Sequence, residues 1–359
     1  MKTSNFLKKT AAILSLAAAA TVGLTSTATA QIAGHNVLLV HGFQFGDLSS
    51  KPSDAEVYSR DLISDFWLQR AEGKLNWSSA ERVEGKISQQ IFEQAKVYSA
   101  QGTCNNGCVL VIHSTGDQVM RHFLANQETW MTNAGYEPLN IVATIDFGGA
   151  GGGTDFADLA VGIVANSSVP QWIKDTIGFF LGLDLSASDM SDLGVVQDLT
   201  YSGARSIAMQ PNDIPRLRFS GSGGNTNPLK ILLSGASDGV VPASSSCAAS
   251  SPSAINSCSN SISYSGKRTS QNGPNGLLYN HFPVLMSKHY DHGGLKDDGA
   301  RGVATYVYNN FNAGLNVDFN TYTKKVPWWQ FWKETGTFQY VSGSDNQSMS
   351  RVIYNTFNN

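Results

Sequence analysis

Runs of branched apolar residues alternate with helically patterned stretches along most of the chain. That rhythm predicts an α/β fold, a mainly parallel sheet flanked by helices. "NVLLVHG" at 36–42 reads as a buried strand, with helices expected over 55–72 and 78–98. "CVLVIHS" is the next strand, followed by a helix from Thr115 to Thr132. Further strands are predicted in "LNIVATIDFGG" (139–149), "LKILLSGASD" (229–238) and "FPVLM", the last followed by a helix ending near Phe311.

Two segments break the rhythm. Residues 155–225 contain "IKDTIGFFLGLDLSASDMSDLGVVQDL", too apolar for a solvated loop and too irregular for a strand. They are expected either as core helices or as a cap or lid above the strand ends, where open α/β sheets bind ligands. Beyond Asn312 the alternation stops, and "VPWWQFWKETGTFQYVSG" (326–343) brings three tryptophans within five residues. A C-terminal extension, 313–359, clamped on the sheet by those rings is one expectation. An aromatic patch exposed toward an insoluble or lipidic substrate is the other.

The first thirty residues bear on location rather than fold. Lys2, Lys8 and Lys9 precede the apolar stretch Ala11 to Leu24, and Ala28-Thr29-Ala30 offers small residues for cleavage. This reads as a secretory signal peptide over 1–30, since the apolar run is shorter than the roughly 20 residues a bilayer requires. Its removal takes away three lysines and no acid, which moves the formal charge from −3 to −6. Nothing in that balance suggests a nucleic-acid partner, and no later stretch is apolar enough to span a membrane. In an exported chain the four cysteines are expected as two local disulfides, Cys104 with Cys108 and Cys247 with Cys258.

The chemistry gathers at the predicted strand ends. "VIHSTGD" takes a strand into a helix with Ser114 at the turn, the arrangement of a nucleophile elbow. Small residues are expected two positions to either side of the serine; Gly116 complies and Ile112 does not. A helix N-cap is the alternative use of Ser114. A serine nucleophile also needs a base, an orienting acid and two oxyanion donors. The amides of Phe43, in "HGF" after the first strand, and of Thr115, at the helix start, are the expected donors. Asp238, in "SDGVVP", is the expected acid, with Asp146 in reserve. His292 is the expected base and His289 the alternative, while His281 lies too early for the loop that should carry it.

These motifs, in this order over about residues 36–312, resemble the secreted bacterial triacylglycerol lipases of the α/β-hydrolase fold. "NVLLVHGFQFGD" is similar to their first strand and oxyanion loop, "VIHSTGD" to their nucleophile turn, "TIDFGGAGGGTDFADLA" to the segment entering the lid, and "SDGVVP" to their acid turn. Ile112, and glycines 148–153 in place of a Pro-His, depart from the pattern. The resemblance implies a hydrolase domain over 31–312 with 155–225 as cap or lid, a secreted ester hydrolase, and a lipid or polyester substrate. It requires no cofactor for the chemistry. A structural Ca²⁺ near the histidine loop is common in the family, and Asp291, Asp297 and Asp298 are the nearby carboxylates. A polyester depolymerase, a phospholipase or acyltransferase, and a non-catalytic binding protein on the same fold are the other readings.

Overall fold

The structure, a computed structural model, describes residues 31–165, 168–208, 213–224, 231–251, 262–263, 267–268, 276–306, 319–332 and 335–358. The expected signal segment, Cys258 and residues 307–318 lie outside the described residues. The strands are β1 (Asn36–Val40), β2 (Gly73–Lys74), β3 (Cys108–His113), β4 (Ile141–Phe147), β5 (Arg216–Ser220), β6 (Ile262–Ser263), β7 (Lys267–Arg268), β8 (His281–Met286), β9 (Ala304–Tyr306), β10 (Thr321–Val326) and β11 (Gly336–Val341). The helices are α1 (Asp47–Ser50), α2 (Asp54–Tyr58), α3 (Asp65–Leu68), α4 (Ser88–Ala100), α5 (Gly116–Asn133), α6 (Asp155–Ala165), α7 (Gln171–Leu181), α8 (Tyr201–Ala208), α9 (Ala243–Ser246) and α10 (Met349–Asn358).

The main sheet runs in the order β2-β1-β3-β4-β5-β8-β9. Every pairing in it is parallel except the last, β8 with β9. The chain winds from β1 outward in both directions, so the order reverses beside β1, and a cleft opens where neighbouring connections leave for opposite sides. One face is apolar across β1, β3, β4, β5 and β8, where Leu39, Val111, Ile145, Leu217 and Phe282 share one row. The opposite face, which carries α4 and α5, is apolar on β1 and β3 and polar or charged on β4 and β5. A second sheet, β10-β11-β7-β6, carries the C-terminal segment.

Four expectations about the placement of elements need correction. The fifth strand is Arg216–Ser220, inside the segment expected as insertion. Its alternating arginines hide it, because both guanidiniums are buried against carboxylates. Described residues from 231 to 238 form no strand; Ile231 is exposed and Leu233 packs among α6 and α7. The helix expected over 55–72 is two short helices. Asn76 Nδ2 and Lys74 Nζ donate to the Arg60 carbonyl just past α2, binding the chain there to other loops. After β8 the described chain returns as the antiparallel strand β9 rather than continuing into a helix.

The segment beyond residue 318 completes the main core. Phe319, Val341, Met349, Val352 and Ile353 pack with Phe66 and Trp67. The tryptophans do none of this: Trp328, Trp329 and Trp332 are exposed, so packing by those rings is overturned. Cys104 and Cys108 form the expected disulfide. Cys247 is buried, and its expected partner lies outside the described residues.

Candidate active site

β3 stops at His113 and α5 starts at Gly116, so Ser114 turns the chain almost within one residue. Its φ is +56°, in the left-handed region that costs a side-chain-bearing residue about 1–3 kcal/mol. The surroundings hold it there: Ser114 N–H donates to the Phe147 carbonyl at 2.9 Å, and the Ala150 amide donates to the Ser114 carbonyl at 3.0 Å. A Cβ on Gly42 would lie 2.5 Å from the Ser114 Cβ, and one on Gly116 would lie 2.5 Å from the His41 carbonyl oxygen. Glycine is needed at both places because two backbones meet.

The departure at Ile112 has a packing explanation. Its side chain is fully buried in the cluster that contains Val40, Val119 and Met120. A Cβ on Gly116 would come within 3.2 Å of the Ile112 Cγ2. Of the two positions flanking the serine, only residue 116 has to be small.

Three loops converge on this serine. His292 Nε2 lies 2.8 Å from Ser114 Oγ, and His292 Nδ1 lies 2.8 Å from Asp238 Oδ2. Asp238, between β5 and α9, is buried; its Oδ1 accepts from the Val240 and Val241 amides at 3.0 and 2.8 Å. The Asp-Gly turn and the histidine therefore use different oxygens of one carboxylate. With Nδ1–H donating to Asp238, Nε2 is left to accept the hydroxyl proton. The His292 amide also donates to the Asp238 carbonyl at 3.0 Å, which ties the two loops by backbone.

The other named candidates lie elsewhere. His289 is exposed, beside Gly302. His281 is buried at the start of β8 and donates through Nδ1 to the Tyr279 carbonyl. Asp146 is buried under Arg218, 2.7 Å from its Nη1, and burial followed by the charge of Asp117 raises its pKa. Among the described residues, the amides of Phe43 and Thr115 make no hydrogen bond, and both residues line the cleft beside Ser114.

Two histidines that the sequence reading left out brace this geometry. His41 stacks on Trp77 with centroids 4.9 Å apart, donates through Nδ1 to the Gly42 carbonyl and accepts the Trp77 amide on Nε2. Burial lowers its pKa to about 4, so it is neutral and fixes the loop that carries Phe43. His113, next to the serine, donates from Nε2 to the His292 carbonyl at 2.9 Å, and their rings lie 4.7 Å apart. Burial and then the His292 charge hold its pKa well below the ordinary value. A histidine whose partners are backbone atoms leaves no motif in sequence.

Ser114 opens onto a cleft of about 740 Å³. Phe43, Phe45, Phe156, Phe179, Phe180, Val196 and Leu199 line it, together with Val240 and Val241. α6 and α7 supply three of these residues, Phe156, Phe179 and Phe180, and Phe180 meets Phe45 and Phe156 edge to face. One wall of the cleft is therefore built by the segment after β4, from helices with an apolar cluster of their own.

Each carboxylate considered for calcium has another partner. Asp298 is held by Arg351 and Ser348, Asp297 by Lys296, and Asp291 accepts the Gly294 amide. Among the described residues no group of three metal-ligating side chains converges. No helix among them is long and apolar enough to cross a membrane.

No protein-family model matches the sequence, and no curated protein matches it. Solved structures similar to the chain include a lipase of Staphylococcus hyicus, 14% identical over 73% of this chain and 88% of that one, with a TM-score of 0.39. A Bacillus licheniformis lipase in mature form is 15% identical over 59% of this chain and 78% of its own, with a TM-score of 0.35. Phospholipase PlaB of Legionella pneumophila is 15% identical over 58% and 44%, with a TM-score of 0.35. The sheet order, the left-handed serine at the end of β3 and the loops meeting at the strand ends are this chain's own features, and they make it an α/β-hydrolase fold.

Proposed function

We propose that this chain is a secreted serine carboxylic-ester hydrolase that acts on esters of long acyl chains, triacylglycerol foremost. The observation that carries this is the line Ser114 Oγ, His292 Nε2, His292 Nδ1, Asp238 Oδ2, with 2.8 Å at each hydrogen bond, at the wall of an apolar cleft. In this reading the acyl chain lies among the phenylalanines and the ester carbonyl meets Ser114. Oγ attacks the carbonyl carbon as His292 takes its proton, and the oxyanion is held by the Phe43 and Thr115 amides. His292 returns the proton to the departing alcohol. Water, deprotonated by the same imidazole, then releases the acid and restores the serine. Export is supported by the character of residues 1–30 and by the Cys104–Cys108 disulfide.

Release of fatty acid from emulsified triacylglycerol, measured beside hydrolysis of soluble esters of rising chain length, tests the reading. Preference should rise with chain length, and Ser114→Ala should lower turnover by about 10⁴-fold or more. Turnover retained in that variant removes the serine from the mechanism. Erosion of a polyester film without triacylglycerol hydrolysis would make the substrate a polymer, and inertness toward every ester would leave a binding protein.

A further inference from the structure

We infer that the tip of the β10–β11 hairpin docks the protein on the surface of an anionic phospholipid bilayer. β10 and β11 pair in register from Thr321↔Val341 to Val326↔Gly336. The hairpin base is anchored, since Phe338, Tyr340 and Val341 are buried. Its tip is the reverse: Trp328, Trp329, Phe331 and Trp332 are 84%, 54%, 83% and 65% exposed. The rings touch one another, Phe331 with Trp332 at 5.3 Å and Trp329 with Trp332 at 6.5 Å, and leave their outer faces to water. So many large rings on one turn are costly in solution without a surface to cover them.

The chemistry of that surface follows from the residues beside the rings. Indole combines an apolar body with an N–H donor and settles at the headgroup level of a bilayer. Lys324 and Lys325 are exposed on β10, just behind the tip. Between Thr321 and Val341 the sequence has Lys324, Lys325 and Lys333 against Glu334 alone, so this segment is basic in a chain of net negative charge. Lysine on an edge strand also discourages strand pairing, but that role has no need of the four rings. A protein partner would have to offer a groove matched to these four rings, whereas insertion into headgroups requires none. The cleft and the tip are separate features, and docking stands apart from the hydrolase reading.

Co-sedimentation of full-length Ser114→Ala protein with phosphatidylcholine vesicles, with and without phosphatidylglycerol, tests this without hydrolysis. Binding should require the anionic lipid and shift tryptophan emission to the blue. Replacing all four rings with alanine should lower partitioning by roughly a hundredfold. Lys324→Gln with Lys325→Gln should lower it by about tenfold, on anionic vesicles only. With Ser114 present, the same hairpin variants should hydrolyse a soluble short-chain ester as the parent does and melt at the same temperature, which separates docking from folding and chemistry. Equal vesicle binding by the four-ring variant overturns the inference. So does binding indifferent to phosphatidylglycerol, adsorption to a polyester film in place of vesicles, or a lipid-free dimer that the ring substitutions dissolve.

Discussion

The sheet face under α4 and α5 divides into two halves that hold the site by different physics. One row across it runs Leu38, Leu110, Thr144, Arg216, His281, and the next runs Val40, Ile112, Asp146, Arg218. On β1 and β3 these rows are aliphatic and pack against the helices. On β4 and β5 they are polar or ionised, as is His281 on β8, where Pro283 ends the second row, and every one of these side chains is buried. Apolar burial is strong and non-directional, so it sets how closely α5 approaches the sheet and little else. Buried ion pairs with hydrogen bonds have direction, and here they reach the loops. Arg218 meets Asp117 on the elbow helix and Asp146 on β4, each at 2.7 Å, and donates to the carbonyls of Gly149, Ser245 and Ser246. Asp117 accepts the Gly151 amide at 2.9 Å and pairs with Arg121. The helix behind the nucleophile, the glycine loop after β4 and the segment after the acid turn are thus joined through one guanidinium. The aliphatic half gives the elbow its packing, and the charged half fixes the positions of the loops around it.

Breaking the charged half should cost most. Arg218→Ala leaves Asp146 buried without its close cationic partner and Asp117 with Arg121 alone at that distance, and should lose about 3–5 kcal/mol in chemical denaturation, with ester turnover falling as the loops relax. A loss no larger than that of a surface arginine would mean the network is incidental. In the aliphatic half, Ile112→Ala should lose about 2–4 kcal/mol while turnover stays close to that of the parent. A collapse of turnover there would show that the apolar half also sets loop geometry. The smallest effect expected is on acidification. His41 has its pKa lowered to about 4, and His113 and His281 have theirs lowered well below the ordinary value, so the unfolded chain takes up protons first. The stability these neutral rings contribute is complete above about pH 6.5 and is lost as the pH falls, the share of His41 by about pH 4. His41 alone should account for about 1–3 kcal/mol. His41→Gln should flatten that part of the pH profile, and an unchanged profile would exclude it as the titrating group.

The same division explains what could be read in advance. Ser114, Asp238, His292, Phe43 and Thr115 each follow an apolar strand or a turn motif, and the structure brings all five to one end of the sheet. β5 escaped notice because Arg216 and Arg218 look solvent-bound until Asp117 and Asp146 are seen opposite them. "LKILLSGASD" was a persuasive substitute because its leucines serve the cluster beside the cleft rather than the sheet. Asp117 is only the fourth letter of "STGD" in sequence, and its partners lie on other strands. The tryptophans were ambiguous because composition does not say which way a hairpin tip faces.

The most direct test of the central claim is labelling of the full-length protein with a fluorophosphonate, followed by peptide mass analysis. The account predicts a single adduct on Ser114, lost in Ser114→Ala and strongly slowed in a folded His292→Ala variant. An adduct on another serine, or an unlabelled Ser114 in protein shown to be folded, would contradict it.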